Sequence, residues 1–443
     1  MLTDTQAQNL ASDLVDIARR CGAEACDVIY TANASTDVQI RLGALEDVTR
    51  AESEEIALRV FIGQRSASSA SSYLTAASLT TLADSVVAMA REVPEDAFAG
   101  LAPEELLLRA PPPLLDLDDG LDVAPDVLRH RAEAVEDAAR AVEGVTNSEG
   151  GSASAGRNIV ALATSHGFVR GYTSSIHSVT ASVLAGAGGD MQRDSAYDYR
   201  RHLSDLEPAA RVGSKAGARA VARLSPVQLK SGAMPVIFDP RVGGSLLGHL
   251  IGAINGTAIA RKTSFLLDAL GTQVFGATIN IIDEPHRLRG LRSRPFDGEG
   301  LPTASSAIIA DGRLTTWLID SAAARQLALR PTGHATRGGA GTSNLHMAAG
   351  EMTPAALMAD IKQGFYVTEL IGMGVNGLTG DYSRGAVGFA IENGEITHAV
   401  SEVTIAGNLK DMFAALTPAS DLEFRYATNV PTLRVDGMTL AGA

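Results

Sequence analysis

The side chains able to do chemistry are scattered through the chain. Nine histidines stand at 130, 166, 177, 202, 249, 286, 334, 346 and 398. No two have metal-ligand spacing and none belongs to H-E-x-x-H. The two cysteines, Cys21 and Cys26, have no neighbouring histidine, so they build neither a zinc ribbon nor a disulfide framework and read as reduced core thiols. Gly372 to Gly377 fits G-x-G-x-x-G, but no helix pattern follows to turn its N-terminus towards a pyrophosphate, so a glycine-rich turn is expected. Gly256 to Thr263 approaches a phosphate loop but places Arg261 where the second glycine is required. No G-x-S-x-G is present.

One histidine has a telling context. Met234 to Leu267 opens with the apolar run Val236 to Phe238, breaks at Asp239-Pro240, and continues in helical periodicity from about Val242 to Ala260. Leu246, Leu247, Leu250, Ile251 and Ile254 form its stripe, and His249 is the titratable residue within it. A strand feeding a helix is where many enzymes place catalytic groups; the plainer reading of His249 is a packed or interface histidine. Two glycine-rich polar segments add candidates. In Gly338 to Gly350, Asn344 and His346 lie on a short extended segment, read as an exposed strand edge that accepts a peptide by added-strand pairing, with an ordinary loop as the alternative. Thr379 to Gly388 contributes Thr379, Asp381 and Ser383.

The elements that position these groups follow from periodicity. Thr3 and Gln6 form a capping box before the stripe Leu10, Leu14, Ile17 and Ala18. Alternating strands are expected at 37–42 and 56–62, a small-residue strand at 66–72, and a helix through Leu79, Leu82, Val86 and Met89. The prolines between Pro94 and Pro125 forbid long regular elements, leaving a linker or an extended wrapping segment. A helix over 126–142, strands at 159–164, 168–173 and 178–185, and a helix over 209–224 follow. Further on, strands are expected at 278–282, 306–310 and 314–319, and helices at 321–329 and 354–363. Asn393-Gly394 between two alternating runs marks a hairpin. The result is an α+β chain divided into an N-terminal unit 1–93, an acidic proline-rich linker 94–125, a middle α+β unit 126–230 and a β-rich C-terminal domain 231–443.

Bulk properties narrow the partners. With 443 residues, two domains are expected; 45% hydrophobic residues supply ample core. A net charge of −14 argues against a nucleic-acid backbone as ligand, since that needs a basic face. No signal-peptide pattern and no apolar run of membrane-spanning length is visible, so a cytoplasmic, membrane-free protein is expected.

Several longer segments carry a resemblance. They are Leu58 to Gly63 (LRVFIG), Arg261 to Leu266 (RKTSFL), Arg294 to Thr303 (RPFDGEGLPT), Gly341 to Met347 (GTSNLHM), and Thr379 to Ala386 running on to Ile391 to Gly394. From about Cys26 to its end the chain resembles the TldD/PmbA family, historically called modulators of DNA gyrase, with details favouring the PmbA (TldE) branch. The resemblance implies a two-domain α+β fold, with an N-terminal helix-strands-helix unit and a larger, mostly antiparallel β domain.

In the TldD branch the helix after the central strand carries H-E-x-x-x-H, whose histidines bind zinc. Laid on this chain, those positions are Gly248, His249 and Ala253, and two of them have no ligand atoms. The TldD-type C-terminal cysteine is also missing, since no cysteine follows Cys26. The resemblance therefore implies the non-catalytic subunit of a heterodimeric metallopeptidase acting on small or unfolded peptides. Its H-E-x-x-x-H partner would hold the zinc, and this chain would bind no cofactor and complete the substrate chamber. Gly248, Gly252 and Ala253 are expected to leave small surfaces for the partner. Asn344, His346, Thr379, Asp381 and Ser383 are expected at peptide or partner contacts, and a homodimer is a further expectation for the lone chain. Two alternatives remain: an autonomous hydrolase using His249, His346 or Asp381, and a client-binding module linked to gyrase or toxin–antitoxin systems.

Overall fold

The computed structural model describes residues 1–443. Helix α1 (Asp4–Arg20) starts at the expected capping box, where the Thr3 side chain accepts from the Gln6 amide and the Gln6 side chain answers the Thr3 amide. Strands β1 (Ala25–Arg41), β2 (Ala44–Ile62) and β3 (Arg65–Ser71) precede α2 (Ala76–Glu92). Helix α3 (Pro125–Arg140), the long hairpin β4 (Val145–Thr164) and β5 (Val169–Ala185), β6 (Gln192–Arg200) and α4 (Ala209–Ala222) follow. The strands are much longer than the expected patches at 37–42, 159–164 and 178–185. Polar and small residues in their outer halves hide the alternation, yet backbone pairing runs through them.

All six strands form one antiparallel sheet in the order β3-β2-β1-β4-β5-β6, so residues before and after the proline-rich stretch share a sheet. Its two faces differ because side chains alternate along each strand. Val28, Tyr30 and Ala32 of β1 and Ile159, Ala161 and Ala163 of β4 pack under α1 and α2. Val179, Ala181 and Val183 of β5 pack under α3 and α4. The opposite face presents Ile29, Leu162 and Tyr172 to Phe296 and Leu301 of the C-terminal region. Residues 94–125 wrap: Leu108 donates to the Gly300 carbonyl, while the Leu115 and Leu117 carbonyls accept from the Arg289 and Ser175 amides.

The C-terminal region builds on β7 (Gly232–Phe238), α5 (Pro240–Ala253) and α6 (Gly256–Ala260). The helix expected to run unbroken to Ala260 stops at Ile254. There Asn255 starts α6 by accepting from the Thr257 amide and donates its Nδ2 to the Ala340 carbonyl at 2.7 Å. Short strands β8 (Ile281–Asp283), β9 (Ser306–Ala310) and β10 (Arg313–Leu314), α7 (Ser321–Leu327), β11 (Ala335–Thr336), β12 (Gly339–Ala340), β13 (Leu345–Met347) and α8 (Pro354–Met358) follow. The strand expected over 314–319 and the helix expected to Gln363 are thus shorter, since β10 and α8 end at Leu314 and Met358.

The long strands β14 (Gln363–Val375), β15 (Asp381–Glu392) and β16 (Glu395–Asn408), α9 (Leu409–Ala414), β17 (Leu416–Pro418), β18 (Thr428–Asn429) and β19 (Leu433–Ala441) complete the chain. The Asn393-Gly394 turn has φ of 51° and 86°, the left-handed pair that a two-residue hairpin requires. The larger sheet runs β16-β15-β14-β7-β19-β17, and β16 also pairs with β19, so five strands close into a ring. A second sheet runs β10-β9-β8-β13-β18. One core, centred on Phe238, Phe365, Phe413 and Leu250, joins these layers. The fold is α+β. No helix is long and apolar enough to cross a membrane.

Candidate functional site

Strand β7 lies between β14 and β19, which buries Val236, Ile237 and Phe238 completely. Asp239 then caps α5 by accepting from the Arg241 amide at 2.9 Å, and Pro240 occupies the first turn, where no amide is needed. The helix buries Leu246, Leu247 and Leu250 in the core. Gly243 allows it to lie close, since a Cβ there would stand 2.9 Å from Val430 Cγ2. Gly248 and Gly252 face outward, exposed, with no atom within 4 Å of an added Cβ.

His249 is half-buried beside that glycine face. Its ring meets Tyr382 of β15 edge-on, with centroids 5.9 Å apart and planes at 78°. His249 Nε2 and the Tyr382 hydroxyl are both buried without a hydrogen-bond partner. Burial, and then the nearby Arg384 cation, push the His249 pKa down, so the ring stays neutral. Ala253 does not form part of the expected small outward surface. Positions five apart on a helix are turned by roughly 140°, which leaves Gly248 open and puts Ala253 in the core. No three His, Cys, Asp or Glu side chains converge as a metal-ligand group.

The strand carrying His346 differs from its expectation. Strand β13 is not an exposed edge: β8 pairs with one side and β18 with the other, leaving no backbone groups for an added strand. Asn344 is correspondingly a structural residue. Its Nδ2 donates to the Glu284 carbonyl and Ser293 Oγ, both at 2.8 Å, and its Oδ1 accepts from the Arg292 amide at 3.0 Å. That ties down the 284–293 loop and leaves no donor for a peptide. His346 is buried edge-on to Phe424, with Nδ1 3.6 Å from Glu284 Oε2, and burial lowers its pKa.

Thr379, Asp381 and Ser383 are exposed. Thr379 Oγ1 donates to Asp381 Oδ2 at 2.6 Å, and Asn408 Nδ2 donates to Asp381 Oδ1 at 3.1 Å. These two hydrogen bonds, Thr379 first, hold the Asp381 carboxyl below its ordinary range. Alternation along β15 turns Asp381 and Ser383 outward and Tyr382 inward. His249, His346 and Asp381 therefore keep separate partners, and the structure does not assemble them into one constellation.

A feature without a sequence signal is a cleft of about 930 Å³ between the six-stranded antiparallel sheet and the C-terminal region. Asn33, Asn158 and Tyr172 line one wall; Ile251 of α5, Arg294 and Thr342 line the other. Arg201 also lines it, donating to the Ser175 carbonyl at 2.9 Å. Arg294 holds the facing loop by donating to Ser343 Oγ at 3.1 Å and the Gly341 carbonyl at 2.8 Å. The site helix thus borders the cleft through Ile251. The lining mixes hydrogen-bonding side chains such as Asn33, Asn158, Arg294 and Thr342 with apolar surface from Ile159, Val160, Ile251 and Leu291, which suits a peptide with both backbone polar groups and side chains to place.

Three family models match, described as PmbA/TldA metallopeptidase domain 1 (residues 26–90), central domain (111–224) and C-terminal domain (231–442). The chain is 39% identical to a protein named metalloprotease PmbA from Escherichia coli O157:H7, over 95% of this chain and 93% of that protein. It is 34% identical to a metalloprotease PmbA homolog from Haemophilus influenzae, covering 99% and 97%. A Bacteroides thetaiotaomicron crystal structure, described as a modulator of DNA gyrase, superposes with a TM-score of 0.93 at 28% identity over the whole of both chains. TldE from Thermococcus kodakarensis has the same fold, with a TM-score of 0.85 at 18% identity over 98% of this chain and all of that one. The matches span all three regions of the fold, and this chain belongs to the PmbA/TldD metallopeptidase family.

Proposed function

We propose that this chain is the TldE-type subunit of a two-subunit metallopeptidase, contributing a wall of the substrate chamber while a TldD-type partner bearing H-E-x-x-x-H supplies the zinc. The observation that carries the proposal is the chemistry of α5. Gly248 and Ala253 stand where the resemblance requires histidines, and neither has lone pairs to offer a metal. The remaining His249 faces Tyr382 and lies near the Arg384 cation, which repels a metal ion as it repels a proton. The residues present do not fit a zinc ion.

The open glycine face at Gly248 and Gly252 supports close approach of a partner, and the cleft of mixed polar and apolar lining beside Ile251 supports an unstructured peptide as substrate. Within this reading, 1–93 and 126–230 together form one unit around the shared six-stranded sheet, 94–125 is the wrapping segment between them rather than a free linker, and 231–443 is the C-terminal domain. A cytoplasmic location accords with two free thiols, one of them, Cys26, buried with its pKa pushed up to about 12 chiefly by burial.

The test is to purify the chain alone and together with an H-E-x-x-x-H partner, then measure zinc content and cleavage of an unstructured peptide. Zinc and cleavage are expected only when the partner is present. Stoichiometric zinc and cleavage by the lone chain, consistent with relatives named metalloproteases, would overturn the reading.

A further inference from the structure

A second pocket, of about 640 Å³, opens where the first turn of α5 meets β6, α4 and β14. Six arginines line it (Arg193, Arg219, Arg223, Arg241, Arg292 and Arg384) against two carboxylates, Asp194 and Glu369. Six positive charges against these two, and against Asp239 and Glu149 that pair with Arg241 and Arg193 from outside the lining, leave a net +2 in a chain whose total is −14. A concave concentration of one sign, set against the charge of the whole molecule, focuses an attractive field on anions.

The internal pairings account for only part of this charge. Arg223 Nη1 lies 2.8 Å from Glu369 and 3.5 Å from Asp194. Arg241 lies 3.0 Å from Asp239 and 3.5 Å from Asp194, and Arg193 turns to Glu149 at 3.5 Å. The other three make no ion pair, although Asp194 and Asp239 are near enough to Arg219 to offset part of its charge. Arg219 donates to the Ser195 carbonyl at 3.0 Å and Arg384 to the Ile371 carbonyl at 3.4 Å. The exposed Arg292 guanidinium has no hydrogen bond or ion pair.

Solvation alone satisfies an arginine on an open surface, but this cluster is partly withdrawn from water. Arg223 is 9% exposed with its Nε unpartnered. Burial, and then the neighbouring Arg241 cation, hold the Arg219 pKa below its ordinary value. Cations gathered and partly desolvated without enough counter-charge are costly, and an incoming anion relieves that cost. Guanidinium forks match carboxylates in a bidentate fashion. Arg292 lines both this pocket and the peptide-sized cleft, so the two spaces adjoin at its side chain.

We propose that the arginine pocket captures a carboxylate, either the C-terminus or an acidic side chain, of a peptide lying in the adjoining cleft, with Arg292, Arg384 and Arg219 as its ligands. The choice of a peptide rests on the function proposed above; the choice of an anion rests on the pocket itself.

The test is fluorescence anisotropy on the full chain at low salt. One labelled unstructured peptide ends in Asp-Glu-Glu with a free C-terminus; its control ends in Asn-Gln-Gln with an amidated one. The acidic peptide is expected to bind at least about tenfold more tightly, the scale of one charge-assisted hydrogen bond. An R292Q/R384Q double variant, in which no ion pair of the native fold is broken, should abolish that preference, so that the acidic peptide binds no more tightly than the neutral one, and an R292K/R384K variant that keeps both charges should retain part of it.

Equal binding of the two peptides, or an undiminished preference in the double variant, would overturn the proposal. Displacement of the acidic peptide by inorganic phosphate at lower concentration than by unlabelled peptide would overturn the carboxylate assignment. The measurement needs neither zinc nor cleavage, so failure of the two-subunit reading is seen separately. If the complex with the H-E-x-x-x-H partner cleaves both peptides while the chain shows no charge preference, only the pocket assignment falls.

Discussion

The ring of His249 stands edge-on to the ring of Tyr382 at 5.9 Å, and each side chain carries a buried polar atom with no partner. Buried polar groups of this kind cost stability of about 1–3 kcal/mol each, so the pair is not maintained for packing strength. His249→Phe is expected to leave stability unchanged or raise it by about 1 kcal/mol. The pH dependence follows from the lowered His249 pKa. Below about pH 6.5 the unfolded histidine takes a proton that the folded one resists, so the native chain loses stability on acidification. The gain from His249→Phe should therefore be larger at pH 5.5 than at pH 8, as read from thermal melts.

Gly248 has a helical backbone and empty space beyond its Cα. Gly248→Ala should stabilise the lone chain by about 1 kcal/mol, the helix-propensity difference. Gly248→Leu should leave the melting temperature of the lone chain close to native while weakening association with the H-E-x-x-x-H partner. Sedimentation of the mixture gives the readout, and association at native strength would remove the partner role from this face.

Rebuilding the ligand motif should fail at its second histidine. Ala253 lies in the main core, 5% exposed, so an imidazole there must displace apolar neighbours to fit. Ala253→His is expected to cost several kcal/mol (about 1–3 for overpacking, more for the unpaired nitrogens) and to bind no zinc even when combined with Gly248→His and His249→Glu. Denaturant melts and metal analysis check both outcomes.

Glu299 sits where the C-terminal region meets the six-stranded antiparallel sheet, and burial is the main force that pushes its pKa up to about 7. The Ser321 amide and hydroxyl both donate to its carboxyl. The sign is that of a raised group: its contribution is fully present below the unfolded carboxyl value of about 4.3 and is lost as pH rises through 7. Glu299→Gln keeps an oxygen acceptor for Ser321 without the charge. It should flatten stability between pH 5 and pH 7 and match or exceed the native chain at pH 8, which melts at those three pH values would show.

Asp27 of β1 receives Arg59 from the neighbouring strand at 3.0 Å through Nε, and Arg337 from the C-terminal region on its other oxygen. The carboxylate is 2% exposed. Removing it by Asp27→Ala leaves two guanidinium groups facing each other, and loss of one member of a buried ion pair costs about 3–5 kcal/mol. Because Arg337 crosses between the regions, protease cleavage within residues 94–125 should accelerate together with the fall in melting temperature.

Local chemistry explains which parts of this fold could be read from the chain. The Thr3–Gln6 capping box, the Asn393-Gly394 hairpin and the apolar stripe of α5 depend on neighbours within a few residues, and each appears where periodicity places it. Pairing that reaches across the chain was not visible in the same way. The outer halves of β1, β4 and β5 are polar or small, so only their tertiary partners identify them as strand. The exposed edge expected at Asn344 and His346 fails for that reason: a short polar segment looks like a free edge until β8 and β18 are seen on either side.

The residue types along α5 determine by themselves that this helix has lost two ligand positions, because glycine and alanine have no lone pairs in any fold. Family membership is legible at the same level, in segments such as Arg294 to Thr303. Only the tertiary structure decides that Gly248 is open while Ala253 is sealed, that His249 meets Tyr382 rather than Asp381, and that Arg219, Arg292 and Arg384 share one pocket. Helix rotation, strand alternation and the approach of two regions set those relations, and none of them is a property of neighbouring residues.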